Sequence, residues 1–199
     1  MTGTIGIGEP VPVVLAHANV LYSRVLRDYL LYADEEELIS IAWSAQILGE
    51  VTEHLVANIP GFTAASGERL VHAMNIAFPY AQVVPTPAGY RRPKDLHFPD
   101  EDDRHVLAAA LAAEATVLCT SNTKDFPDHL AASVGLDVQT PDRLLAALIS
   151  EFEIPMLAVH ARVVAGHRGA TGESTIAALR QAGAPRSAAL MAGLLAGDR

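Results

Sequence analysis

A run of carboxylates ahead of an apolar, alanine-rich segment carries the most distinctive chemistry in the sequence. The segment Pro99–Leu111 reads PDEDDRHVLAAAL, and its four acids lie at the first turn of a predicted helix. The helix dipole stabilises acids at this position by roughly 0.3–1 kcal/mol each, which accounts for one or two of them. Four acids in a row repel one another, and a divalent cation with oxygen ligands would relieve the repulsion. The segment therefore favours a metal site.

Glu50 and the segment Thr120–Phe126 also carry side-chain oxygens that could bind a metal ion. Glu50 lies on a helix predicted to begin at Ser44, at the edge of an apolar stripe that faces the core. By itself Glu50 would be an ordinary surface glutamate, with Glu53 nearby. The segment Thr120–Phe126 (TSNTKDF) follows a predicted strand, and a plain turn would account for it alone. Neither group would indicate a metal site without the other.

The elements that must position these residues alternate between short apolar strands and helices. The strands are predicted at Val11–Ala16, Leu38–Ala42, Ala81–Val84, Thr116–Thr120 and Asp137–Thr140. This order predicts an α/β sandwich with a mostly parallel central sheet. Ligands of such sheets bind outside the carboxyl ends of the strands. Residues 17–19, 100–103 and 120–125 are therefore expected along one edge of the sheet.

Helix boundaries follow from capping residues and prolines. Thr63 and Thr171 are predicted caps, Pro141 is predicted to begin a helix, and Pro85–Pro99 is predicted to be a loop. Residues 151–199 contain two or three short predicted helices and no convincing strand. We therefore divide the chain into a domain over 11–150 and a helical C-terminal extension over 151–199.

Composition limits the class of protein. The 199 residues have a net charge of −9, one cysteine (Cys119) and no apolar run near the ~20 residues that a membrane-spanning helix needs. A cytoplasmic protein without a membrane segment is expected. The acidic charge by itself disfavours a nucleic-acid partner, but a site of several carboxylates would contribute to that charge.

Four segments, in order, resemble the sequence blocks of PIN domains. They are VVLAHANVLYS (13–23), ILGEVTEHL (47–55), PDEDDRHVLAAAL (99–111) and CTSNTKDFP (119–127). The likeness is nearest to the VapC-type toxins of bacterial toxin–antitoxin pairs and covers about residues 11–150. It implies a three-layer PIN-like fold. It also implies an endoribonuclease that uses Mg²⁺ or Mn²⁺ to activate a water for cleavage of RNA phosphodiesters.

The resemblance also implies the site residues. The expected catalytic residues are Glu50, Asp103, Asn122 and Asp125, together with His17 at the first position. The expected metal ligands are Asp103, Asp100, Glu50 and Asp125. The expected substrate-binding residues are Asn19, Thr120, Arg91 and Arg92, although a solvated loop explains the two arginines equally well.

The first block departs from the family pattern, which is an aspartate, a small residue and an asparagine. Here the run is His17, Ala18 and Asn19. An imidazole does not replace a hard anionic ligand of Mg²⁺ and prefers softer ions such as zinc, nickel or copper. His17 is therefore either an inactivating change or a variant with an altered metal preference.

The partners implied are an RNA substrate, a cognate antitoxin that inserts a segment into the acidic groove, and a second copy in a homodimer. The alternative is a catalytically dead PIN-like module that binds RNA or an antitoxin. A more distant alternative, a DNA-binding regulator, is disfavoured by the few Lys and Arg in residues 151–199. Trp43 and Met74 are assigned to the core. His54, His72 and His105 are assigned no metal-binding role.

Overall fold

A computed structural model of the chain describes residues 11–91 and 101–197. Its centre is a five-stranded sheet in the order β3-β2-β1-β4-β5. The strands are β1 (Val13–Ala16), β2 (Ser40–Ser44), β3 (Gln82–Val83), β4 (Val117–Cys119) and β5 (Asp137–Gln139). β1 pairs with β4, β2 with β3 and β4 with β5, each in parallel. The predicted α/β fold with a parallel sheet flanked by helices is confirmed.

β1 and β4 are the strands that matter for the site. Both are short, apolar and almost completely buried, as expected of strands covered on both faces. Their register places Ala16 opposite Cys119. From β1 the chain proceeds to β2 and β3 on one side and then returns to β4 on the other. The carboxyl ends of β1 and β4 therefore flank the point where the strand order reverses, which is where ligands of such sheets bind.

Helices connect the strands and make up most of the remaining described residues. They are α1 (Ala18–Leu21), α2 (Arg24–Glu35), α3 (Ala45–Asn58), α4 (Ala64–Ala77), α5 (Pro87–Arg91), α6 (Arg104–Ala112), α7 (Asp128–Ser133), α8 (Pro141–Glu151), α9 (Glu153–Ala165), α10 (Gly172–Gln181) and α11 (Pro185–Ala196). Short 3₁₀ turns lie at Glu101–Asp103 and Thr123–Asp125. Within the described ranges, no helix combines the length and apolar character needed to cross a bilayer.

Side-chain caps begin several helices where the sequence predicts them. Ser44 accepts the N–H of Ile47, and the equivalent bonds of Thr63 and Thr171 begin α4 and α10. Such caps stabilise a helix by about 1 kcal/mol. Thr140 caps α8 in the same way, which the sequence analysis did not assign. The predicted loop at Pro85–Pro99 was wrong for Pro87–Arg91, which form α5, because proline suits the first helical position. Residues 92–99 lie outside the described residues.

The chain divides into two compact units. One contains residues 13–22 and 41–139, and therefore nearly all of the sheet. Its core includes Trp43 and Met74, as predicted, with Leu15, Leu118 and Phe126. Burial of these side chains from water supplies the main stabilisation of this unit.

Among the described residues, the other unit contains 11–12, 23–40 and 140–197, and therefore α2 and α8–α11. Asp142 of α8 accepts the backbone N–H groups of Arg186 and Ser187, which begin α11. Tyr29 of α2 meets His160 of α9 in the interior. The two units are defined by contacts between residues and not by order along the chain. The predicted domain boundary at residue 150 stays a prediction.

Candidate functional site

The site lies where β1 and β4 end, inside the unit that contains the sheet. His17 directly follows β1, and its N–H donates to the carbonyl of Cys119 at 3.0 Å, extending the pairing of the two strands by one residue. Thr120 directly follows β4 and is completely buried. The side chain of His17 contacts both Thr120 and Asp103. The predicted meeting of the three segments at one edge is confirmed for the residues that the structure describes.

A hydrogen-bonded group of small polar side chains surrounds His17. Its Nδ1 lies 3.0 Å from Thr120 Oγ1 and 3.0 Å from Asn19 Nδ2. The Asn19 amide also donates to Thr120 Oγ1 at 3.0 Å, and its Oδ1 accepts the Ser121 N–H at 3.0 Å. Asn19 and Thr120, predicted to bind substrate, therefore also orient the His17 ring.

The other ring nitrogen of His17 faces a carboxylate. Nε2 lies 3.6 Å from Asp103 Oδ1, at the end of the 3₁₀ turn that precedes α6. His17 is only 8% exposed. Burial lowers its pKa from 6.5 to about 4, an effect that Glu50 partly opposes and His105 reinforces. His17 is therefore neutral near pH 7.

A second histidine lies in the site. His105 of α6 places Nε2 2.9 Å from Glu50 Oε1, and its Nδ1 lies 2.6 Å from the carbonyl oxygen of Asp102. Burial lowers the pKa of His105, but the contacts with Glu50 and Asp102, together with the charge of Asp103, raise it overall. Glu50 thus has a histidine partner that lies 55 positions later in the sequence.

His105 was the residue that the sequence analysis missed. The sequence offers it no metal-ligating partner at a useful spacing. The available signal was its position two residues after Asp103, at the beginning of a helix whose next residues are apolar. A histidine there must share the buried end of the helix with the acids, although its partner depends on where α3 lies.

Asn122 and Asp125 form the outer part of the site. The Asn122 backbone N–H donates to Thr120 Oγ1 at 3.1 Å, which joins it to the group around His17. Its side-chain amide donates to the Asp125 carboxylate within the 3₁₀ turn. Asn122 is exposed, and Asp125 is half-buried.

The remaining predicted site residues are two arginines and one acid. Asp100 and Arg92 lie outside the described residues, so the structure does not test their predicted roles. Arg91 is the last residue of α5. Its predicted role in binding substrate stays a prediction.

The expected metal ligands that the structure describes, Asp103, Glu50 and Asp125, are not arranged to fit a Mg²⁺ ion. Mg²⁺ needs hard oxygen ligands in nearly ideal octahedral geometry. Here Asp103 faces the imidazole of His17, and Glu50 is paired with His105. Across residues 11–91 and 101–197, no three His, Cys, Asp or Glu side chains are grouped so that they could hold one ion. The predicted use of Mg²⁺ or Mn²⁺ stays a prediction.

Comparison with known proteins identifies the family. The family model described as the PIN domain matches residues 13–124, which is more than half of the chain. No curated protein and no solved structure matched the chain. The chain belongs to the PIN-domain family. PIN domains are generally nucleases, so the match supports a nuclease at this coarse level.

Proposed function

We propose that this chain is a toxin-type PIN protein that binds RNA and an antitoxin but does not hydrolyse RNA through a Mg²⁺ centre. The observation behind this proposal is the pairing of each inner carboxylate with a histidine, His17 with Asp103 and His105 with Glu50. A site that activates water through Mg²⁺ needs those carboxylates for the ion. In this structure both carboxylates instead contact histidine side chains of the protein itself.

The proposed partners follow from the family and from the chemistry of this edge. RNA is the substrate class that the VapC-type likeness implies. The antitoxin would insert a basic segment, because an arginine forms strong, bidentate hydrogen bonds with carboxylates such as Asp125. We further propose that the protein works in the cytoplasm and as a homodimer.

The second candidate is an active Mg²⁺- or Mn²⁺-dependent endoribonuclease toxin. It is favoured by four oxygen-bearing residues at the positions that the likeness to PIN domains implies: Glu50, Asp103, Asn122 and Asp125. The first three lie within the matched residues 13–124. In this candidate, Glu50, Asp103 and Asp125 would hold the ion, which would activate a water for attack on the phosphodiester. His17 would favour a softer ion than Mg²⁺.

Cleavage of a total RNA pool separates the two candidates. The chain, its His17→Asp form, its Asp103→Ala form and the His17→Asp/Asp103→Ala double variant are each incubated with Mg²⁺ or Mn²⁺. We expect cleavage only by the His17→Asp form, because this change restores an anionic oxygen ligand at the first position. Cleavage by the unaltered chain that Asp103→Ala abolishes would favour the second candidate.

RNA binding is measured alongside cleavage, without added metal. We expect the unaltered chain to retard a single-stranded RNA, and Glu53→Gln, an exposed substitution on α3, to leave this unchanged. If the chain neither binds RNA nor cleaves it under any metal, the proposal of an RNA-directed protein is wrong.

A further inference from the structure

We infer that Asn19 and Thr120 hold His17 as the tautomer with its proton on Nε2, and that His17 and His105 together keep a divalent metal centre from forming. Asn19 and Thr120 are positioning residues in this arrangement, since they act through His17. The inference deepens the proposed function and rests on it. It concerns how the site is kept in its non-hydrolytic form.

The orientation of the Asn19 amide is set by the backbone. The N–H of Ser121 lies 3.0 Å from Asn19 Oδ1, and an N–H only donates. The oxygen of the amide must therefore face Ser121. The NH₂ group then faces His17 Nδ1 and Thr120 Oγ1, each at 3.0 Å.

The direction in which the Thr120 hydroxyl donates its proton follows from the donors around its oxygen. Oγ1 accepts the N–H of Asn122 at 3.1 Å and the amide of Asn19 at 3.0 Å. Its own proton has two acceptors in reach, His17 Nδ1 at 3.0 Å and Asn19 Oδ1 at 3.4 Å. The nearer acceptor is His17.

Two donors therefore face His17 Nδ1, and this nitrogen must be an acceptor. In a neutral imidazole the proton then lies on Nε2. That N–H faces Asp103 Oδ1 at 3.6 Å, so it has no lone pair to offer a metal. The edge of Phe126 packs against the ring with the centroids 5.8 Å apart and limits its rotation.

His105 lies against the second inner carboxylate, that of Glu50. Asp102 contributes a carbonyl oxygen, which only accepts, so His105 Nδ1 carries a proton. Glu50 faces Nε2 as a carboxylate acceptor. The two inner carboxylates of the site therefore face imidazole rings, where a metal centre would place a cation.

Nitrogen-15 NMR of the imidazoles tests the tautomer in the intact chain. We expect His17 Nε2 to be protonated and Nδ1 to be unprotonated in the wild type. Thr120→Val removes the hydroxyl donor and should shift the His17 nitrogen signals, whereas Thr120→Ser should retain the wild-type signals. Protonation of Nδ1 in the wild type, or signals unchanged by Thr120→Val, would overturn the inference.

Metal binding is tested with Mn²⁺ and Zn²⁺ alone, without RNA, by titration calorimetry and by paramagnetic broadening. We expect the wild type to show no saturable binding at the site, and His17→Asp to gain one saturable Mn²⁺ site near Asp103. The matched control is His72→Asp, at an exposed position of α4, which should gain none. Saturable wild-type binding of either ion that is lost in Asp103→Asn would overturn the inference.

The two readouts keep this inference separate from the proposed function. If the wild type fails to bind RNA but shows the expected tautomer and no metal site, the proposed function fails while the inference stands. If His17→Asp does not fold, as judged by circular dichroism, the NMR and Mn²⁺ experiments on the wild type still decide the inference.

Discussion

At the scale of the residue, histidine in place of the family's aspartate at position 17 changes how burial affects the charge of the side chain there. A buried carboxylate is stable only with a cation or with several hydrogen bonds. A buried imidazole can lose its charge instead, and burial lowers the pKa of His17 to about 4. The site with His17 therefore has less need of a bound cation than a site with aspartate there.

The low pKa of His17 predicts a pH dependence of stability. The unfolded chain binds a proton at position 17 near pH 6.5, but the folded chain does so only near pH 4. Between these values the unfolded state binds more protons, so the free energy of unfolding falls as the pH drops from 6.5 towards 4. At pH 5 the loss is about 2 kcal/mol. Urea denaturation at pH 7.5 and pH 5 measures it.

The matched comparison for this prediction is His17→Gln, which cannot titrate. The variant should lose less stability than the wild type between pH 7.5 and pH 5. An NMR titration of His17 gives the pKa directly. A midpoint near 6.5 would contradict both the buried position and the contacts assigned to this ring.

At the scale of the element, a buried polar contact joins α2 to α9. Tyr29 Oη lies 2.5 Å from His160 Nδ1, and both residues are buried. Burial raises the pKa of Tyr29 and lowers that of His160, so the hydroxyl is protonated and the imidazole is neutral. The Tyr29 hydroxyl therefore donates to Nδ1.

Removal of this donor should destabilise the helices. We expect Tyr29→Phe to lower the free energy of unfolding by roughly 1–3 kcal/mol, because it leaves a buried nitrogen without its hydrogen bond. Thermal and urea denaturation measure the change. Tyr80→Phe removes a hydroxyl from a residue that is 95% exposed and should have little effect. Equal effects of the two substitutions would contradict the assigned hydrogen bond.

At the scale of the whole molecule, the helical unit combines segments from distant parts of the chain. α2 contacts α9 and α10, and α8 contacts α9 and α11. A division of the chain at residue 150 would separate α2 and α8 from the helices that cover them. Most of the stability of such helices comes from tertiary packing rather than from intrinsic propensity.

A chain truncated after residue 150 tests the sequence-based division. We expect the fragment to melt at a lower temperature than the full chain and to bind a hydrophobic dye, because α2 and α8 lose their apolar partners. Calorimetry and dye fluorescence measure these effects. A fragment that melts cooperatively at the same temperature as the full chain would show that residues 11–150 form a domain by themselves.

The sequence by itself determined the features that depend on neighbouring residues. Short apolar runs predicted the strands, and Ser44, Thr63 and Thr171 predicted three helix starts. The four blocks in order indicated the PIN family. Such predictions succeed because the burial pattern of a strand and the cap of a helix lie within a few positions of one another.

Only the tertiary structure decided which side chains meet. His17 contacts Thr120 across 103 positions because β4 lies beside β1 in the sheet, although β2 and β3 come between them in the chain. His105 pairs with Glu50 because α6 and α3 begin at the same edge. No local pattern contains these pairs, since each depends on the packing of separate elements. The same packing places the carboxylates of Asp103 and Glu50 against the rings of His17 and His105.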